Sequence, residues 1–268
     1  MLQHIKVLVK GGGDLASGVV HRLHRAGLKV MVTELSQPTV IRRAVAFAAA
    51  MHEDAVEIEG VVGRRAVSVG EALLSLEDDE VPVLSDPEGE MVFQWRPNVL
   101  VDGIMAKRNI GTKISDAPVV IALGPGFVAG VDVHAVIETK RGHHLGRVIL
   151  EGSAAPDTGI PGEVMGYALE RVLRAPCAGI FRGERRIGDR VEAGEVVAYI
   201  GSSPVVAGIS GVIRGLLADG LLVSEGMKVG DVDPRGVKEH CFTISDKARA
   251  IGGGVLEAIL YLRRNLSD

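Results

Sequence analysis

Cysteine is scarce in this chain of 268 residues: Cys177 and Cys241 are too few for a disulfide framework. Aromatic side chains are equally rare, at 3% of residues with a single tryptophan. No run of basic residues stands out, and the net charge is −4 with an isoelectric point near 6.1. That balance argues against nucleic acid as the main partner. No apolar stretch approaches the roughly 18 residues of a membrane span. The opening residues Met1 to Lys6 enter a strand pattern directly, without the apolar stretch of a signal peptide. The expectation is a soluble, cytoplasmic protein with no membrane partner. Lysine, finally, is missing from the whole stretch between Lys140 and Lys228.

What is present is glycine, 35 residues of it, against a 47% apolar background. Part of it is periodic. Residues 174–197 and 206–229 are two copies of one pattern offset by 32 positions, with Gly179/Gly211, Gly183/Gly215, Gly188/Gly220, Val191/Val223, Gly194/Gly226 and Val197/Val229 among the matched pairs. Self-similarity of this kind implies two equivalent structural units. Gly188-Asp189-Arg190-Val191-Glu192-Ala193-Gly194 resembles the turn signature of biotinyl/lipoyl-type barrels. Such carriers hold their cofactor on a lysine in the hairpin between the half-repeats. Here that hairpin is Gly201-Ser202-Ser203-Pro204, so neither biotin nor lipoate is expected. Met227-Lys228 mimics a carrier's pair but falls in the closing turn of the second copy.

Before the repeat, short β-branched runs alternate with helical patterns. Ile5–Val9, Leu28–Thr33, Val56–Val62, Val81–Leu84, Val99–Val101 and Val119–Leu123 read as strands. Leu15–Ala26 and Thr39–Met51 read as helices. A final helix over Ser245–Asn265, interrupted at Gly252-Gly253-Gly254, is expected to pack back on the first domain. The fold class is therefore α/β: a Rossmann-like parallel sheet domain over 1–165 and a small all-β biotinyl/lipoyl-like barrel (a barrel-sandwich hybrid) over 170–235. Residues 240–268 return to the first domain. A polar, glycine- and proline-containing linker is expected over Glu151–Gly162.

Gly11-x-Gly13-x-x-Ala16 lies between a strand and a helix, with Glu34 at the end of the next strand. This is the context of a dinucleotide fingerprint. Gly11 would make the tight turn and Gly13 would admit a pyrophosphate. Ala16 would keep the helix close, and the free N–H groups over Gly12, Gly13, Asp14 and Leu15 would attract phosphate. Glu34 would accept from a ribose diol, which favours NAD. The alternative is a glycine-rich turn that holds no cofactor, and Asp14 inside the loop would repel pyrophosphate unless it points away.

Three further groups carry candidate chemistry. Asp102, Lys107, Arg108 and Asn109 follow a strand, where Asp102 could act as a general base and the cations could hold an anion, against the alternative of a solvated loop. Asp132 and His134 share a face if extended, as an acid–base pair or half of a metal site, although two ligands do not make one and a histidine hydrogen-bonded to structure is the commoner case. Cys241 has Lys238 and Lys247 nearby, cations that could favour a thiolate, against the default of a buried cysteine. His21 and His24, three apart on a helix, read as a surface pair.

Four stretches taken together resemble the YqeB family of bacterial accessory proteins: V-K-G-G-G-D-L-A-S-G-V-V-H-R-L at 9–23, V-T-E-L-S-Q-P-T-V-I-R-R at 32–43, L-G-P-G-F-V-A-G-V-D-V-H-A-V-I-E-T at 123–139, and C-F-T-I-S-D-K-A-R-A-I-G-G-G-V-L-E-A at 241–258. The resemblance implies a maturation factor for a selenium-dependent molybdenum hydroxylase, with that enzyme as partner and a nucleotide or molybdopterin-type cofactor as ligand. It supplies no catalytic residues. An NAD-dependent oxidoreductase acting on a small molecule is the alternative.

Overall fold

The computed structural model describes residues 2, 4–159 and 162–264 and divides into two compact units. The first comprises residues 1–38, 46–158 and 244–268; the second comprises 39–45 and 159–243. Ile160 and Pro161 of the expected linker, and the expected helix end at Asn265, lie outside the described residues, as do Met1 and Gln3.

The first unit is built on β1 (Lys6–Lys10), α1 (Asp14–Arg25), β2 (Lys29–Glu34), α2 (Ala50–Glu53), β3 (Ala55–Ile58) and β4 (Val61–Ala66). It continues through α3 (Val69–Glu77), β5 (Val81–Ser85), α4 (Met91–Trp95), β6 (Val99–Asp102), β7 (Val119–Leu123), β8 (Ala135–Ile137), β9 (Val148–Ile149) and α5 (Asp246–Arg263). Its nine strands form one sheet in the order β3-β4-β5-β2-β1-β6-β7-β8-β9. The central strands are parallel, but β3 and β9 run antiparallel at the two edges. Even-numbered Leu8, Leu100 and Val120 face one apolar layer with Trp95, while Val7, Val9, Val99 and Val101 face another that contains α1 and α5. A strand buried on both faces reads as a continuous apolar run, which explains Val119–Leu123.

The fold expectation is corrected here. The sheet is mixed rather than a parallel Rossmann-like one. Among the described residues the second unit contains no closed, lipoyl-like barrel, but two separate four-stranded sheets, β10-β17-β15-β12 and β14-β13-β11-β16. Their strands are β10 (Val172–Arg174), β11 (Gly179–Gly183), β12 (Arg190–Val191), β13 (Val196–Ile200), β14 (Ser203–Val206), β15 (Gly211–Leu216), β16 (Leu222–Val223) and β17 (Lys228–Asp233). Both sheets are antiparallel, so local turn glycines mark the strands without implying a closed ring of hydrogen bonds.

The repeat is structural all the same. β11 pairs with β16 through Gly179↔Val223, and β12 pairs with β15 through the equivalent Val191↔Gly211. The two copies therefore exchange strands across a local two-fold relation. They differ in charge. Arg182 in the first copy is exposed and lies 5.4 Å from the Tyr199 ring, whereas its equivalent Arg214 is only 11% exposed in its side chain and lies 3.5 Å from the buried Asp233. Arg171 and Asp231 make a second buried ion pair in the same sheet as Asp233.

Three local expectations also change. Thr39–Met51 is not one helix but irregular chain followed by two single 3-10 turns and the short α2. Within the second unit the Ile41 carbonyl accepts from Leu216 N at 2.7 Å, which removes it from any helical ladder. Val56–Val62 is a hairpin of β3 and β4 turning at Glu59-Gly60, both with positive φ. The α5 helix runs unbroken through Gly252-Gly253-Gly254, with Ser245 capping its start. Those glycines allow close approach: a Cβ on Gly252 would sit 2.6 Å from the Gly18 carbonyl of α1, and one on Gly254 would collide with the Gly146 carbonyl. Packing outweighs the roughly 1 kcal/mol that each helical glycine costs. Among the described residues no helix is long and apolar enough to cross a membrane.

Candidate functional site

Strand order in the first unit reverses at β1, with β2 on one side and β6 on the other. Connections leaving such a point diverge and open a crevice at the carboxyl ends of the strands, where open α/β sheets take ligands. The glycine loop leaves β1 there and the Asp102 loop leaves β6 there.

Each glycine of the loop has its own reason. Gly11 has φ +85° and lies against Ile104 and Gly103, its would-be Cβ only 3.0 Å from Ile104 Cα. At Gly12 a Cβ would come within 2.7 Å of Ala48 N. At Gly13 a Cβ would meet nothing within 4 Å. Gly13 caps α1 in an extended conformation that any residue can adopt, and no side chain caps the helix start. Ala16 packs against Gly103, where a Cβ would lie 2.8 Å from the Ala16 methyl. The spacing therefore serves a tight turn, a close helix and one open position facing uncapped N–H groups. Those N–H groups carry the positive end of the helix dipole.

Glu34 reaches the loop, but its oxygens are engaged: Oε1 accepts from Gly12 N at 2.8 Å and Oε2 from Leu35 N at 2.8 Å. The Gly12 N–H is therefore turned to Glu34. Asp14 lies in the first turn and feels the ammonium of Lys247 at the start of α5. Burial lowers the Lys247 pKa, while Asp14, Glu138 and Asp157 favour its charge and Arg141 opposes it. Lys247 lies 233 residues along the chain from Asp14; in sequence it stands out only as a cation near Cys241, and no local motif ties it to the loop.

Asp102 ends β6 in register with Lys10 of β1. It is almost fully buried and accepts from the Thr112 hydroxyl at 2.7 Å and from Ile104 N at 3.2 Å. Lys10 Nζ donates to the Thr112 hydroxyl at 3.2 Å, which completes a Lys10–Thr112–Asp102 chain. Burial pushes the Asp102 carboxyl up, against the Thr112 hydroxyl, the Ile104 N–H and the Lys10 charge. Lys10 and Thr112 were missed; the lysine immediately before the glycines was the available signal. Met105 and Lys107 both hold positive φ, a strained conformation for non-glycine residues that clusters at functional sites. Lys107 is exposed and pairs with Asp157 at 2.7 Å. Asn109 is occupied by its own turn, accepting from Gly111 N and Thr112 N and donating to the Thr112 carbonyl.

The Asp132 and His134 candidates are placed elsewhere, at the amino ends of β7 and β8. Asp132 accepts from Val128 N, and His134 Nδ1 accepts from Val120 N at 3.0 Å. Burial lowers the His134 pKa against that Val120 bond. Each closes a turn or strand end rather than facing the crevice. In the second unit Cys241 is buried 3.6 Å from the Ile213 carbonyl, and burial pushes its thiol up despite Arg214, Arg42 and Lys238. Cys241 is thus the buried cysteine of the two readings, not the reactive thiolate. Among the described residues no three His, Cys, Asp or Glu side chains gather as a metal site.

No protein-family model matches the chain. Solved structures resembling it include an aspartoacylase family protein from Mesorhizobium loti (12% identity, 85% of this chain and 84% of that one, TM-score 0.27). Another is a succinylglutamate desuccinylase/aspartoacylase from Rhodobacter sphaeroides (14% identity, 84% and 86%, TM-score 0.24). Likenesses this weak carry no argument about chemistry. The sequence match is far stronger: 51% identity over 259 residues to "Uncharacterized protein YqeB" of Escherichia coli (strain K12), covering 97% of this chain and 48% of YqeB. The chain thus spans about half the length of the curated relative it matches.

Proposed function

We propose that the crevice between β1 and β6 holds a phosphate-bearing cofactor, a nucleotide or a molybdopterin-type group. On this reading the chain serves as an accessory factor in maturing a selenium-dependent molybdenum hydroxylase, its protein partner. The resemblance to the YqeB family supports the accessory role. One observation carries the binding role: the open, unobstructed Gly13 at the uncapped start of α1, beside the strand-order reversal. The residues present suit the phosphate part of such a ligand. The N–H groups of Leu15 and Ala16 would hold it, Gly11 shapes the turn, and Lys247 offsets the Asp14 carboxylate.

An NAD-dependent oxidoreductase is the competing reading. Against it stands Glu34, whose two oxygens already take backbone N–H groups where a ribose diol would need them. Asp102 is nearly closed off from solvent. The test is thermal unfolding of the full chain titrated with NADH, ADP and a molybdopterin compound, alongside Gly13→Asp. A ligand at about a hundredfold excess over its Kd stabilises by about 2.7 kcal/mol. That gain in wild type and its loss in the variant are expected. Stabilisation by none of the three, or equal gain in both proteins, would overturn the binding role. A substrate-dependent loss of NADH absorbance would instead establish the oxidoreductase.

A further inference from the structure

A second cationic site lies on the first unit, lined by residues of α1, of the start of α5 and of the segment just before it, which are hydrogen-bonded to the β3–β4 turn. His21, Arg22, Arg25 and Arg249 surround a pocket of about 240 Å³ floored by Gly18 and Ile244. Its depth follows from sequence: Gly18 has no side chain and lies directly against Ala248. One acid borders it. Glu59, at positive φ in the β3–β4 turn, accepts from Ile244 N at 2.8 Å and from Arg249 at 2.7 Å through each oxygen. That carboxylate therefore offsets Arg249. Among the described residues no carboxylate pairs with Arg22 or Arg25, both exposed to solvent. Two unneutralised guanidinium groups and a half-buried imidazole thus converge on one concavity.

We propose that this pocket binds a phosphate group, free or as a small phosphate monoester, independently of the glycine loop. The volume suits a small anion and is short of the roughly 300–1,000 Å³ of pockets for larger ligands. Two arginines match a dianion in charge, and their planar forks match oxyanion geometry in bidentate contacts. His21 is a built-in reporter. Burial lowers its pKa, the Glu59 carbonyl and carboxylate raise it, and Arg249 and Arg25 lower it again. A bound dianion replaces water next to the ring and favours the imidazolium.

The experiment follows the His21 ring by NMR through a pH titration of the full chain, in inorganic phosphate, in AMP and in chloride at equal ionic strength. His21→Asn assigns the resonance. The His21 midpoint should rise by about one pH unit or more in phosphate over chloride, and saturably. A response to phosphate alone identifies the free anion, and a response to both identifies a phosphate group in either form. In Arg22→Gln/Arg25→Gln, both surface changes, the affinity should weaken about tenfold or more. In Gly13→Asp it should persist, which separates this site from the crevice. Equal midpoints in phosphate and chloride would overturn the proposal. So would an unchanged response in the double arginine variant, or a response abolished by Gly13→Asp.

Discussion

Asp102 of the first unit and Asp233 of the second end a strand, β6 and β17, and are almost equally buried at 2% and 1% exposure. Their carboxyls are nevertheless pushed in opposite directions. Asp102 has a hydroxyl, one N–H and the charge of Lys10 beyond the hydroxyl, and burial prevails. At Asp233 burial also pushes upward, but it is outweighed. The Arg235 guanidinium donates at 2.9 and 2.6 Å, the Arg235 N–H at 3.1 Å, and Arg214 lies 3.5 Å away. Burial alone thus says nothing about a carboxylate's role; the charge of its donors does. A paired aspartate is a structural element. An underpaired one at a crevice is where a perturbed group marks a site.

The largest expected effect breaks the structural member. Asp233→Ala leaves Arg214 without its carboxylate and Arg235 without its bidentate partner, and removing one partner of a buried ion pair costs about 3–5 kcal/mol. Asp102→Asn keeps the shape and an acceptor, and should cost under about 1.5 kcal/mol at neutral pH. Denaturant unfolding of the two variants decides it, and equal losses would dissolve the contrast.

A pH series sharpens the same contrast. The depressed Asp233 pKa contributes stability that is present above the unfolded value of about 4 and is lost as pH falls through the folded value. The raised Asp102 pKa contributes stability that is full below about 4 and is lost as pH rises through its folded value. The deficit of Asp233→Asn should therefore shrink in acid. Asp102→Asn should gain on the wild type as pH rises from about 4. Parallel curves for both variants and the wild type would refute the assignment.

The two units were also unequally legible in sequence. The 32-residue offset could be read because turn glycines and inward valines are local demands, and the paired registers Gly179↔Val223 and Val191↔Gly211 follow from it. Whether the strands close into a barrel is a non-local matter of hydrogen-bond pairing, and the resemblance overreached there. In the first unit the Gly11–Ala16 loop was legible for the same local reason. The Lys10–Thr112–Asp102 chain was not, since it joins Lys10 of strand β1 to Asp102 and the loop after β6, about a hundred residues further along the chain. The segment 39–51 misled because its apolar spacing fits a helix, while the Ile41 carbonyl is claimed by Leu216. Asp132 and His134 looked like a pair because alternation says which face a side chain takes, not which end of the sheet it occupies.

The smallest expected effect on stability is the most informative about the crevice, and it again sets one unit against the other. Gly211 packs against the Asp233 backbone, and an added Cβ would collide with its carbonyl. Gly211→Ala should cost about 1–3 kcal/mol through overpacking. Gly13 has no such neighbour and no left-handed φ. In Gly13→Ala the entropy lost by the unfolded chain stabilises, and alanine's weakness as an N-cap opposes it, so stability should stay within about 1 kcal/mol of wild type. A glycine that the fold does not require, at an uncapped helix start, is explained by something approaching from outside. If Gly13→Ala keeps its stability but loses the ligand-induced gain in thermal unfolding, the backbone there is a contact surface. If it keeps both, a methyl group fits beside the ligand, and the phosphate lies nearer Ala16 than Gly13.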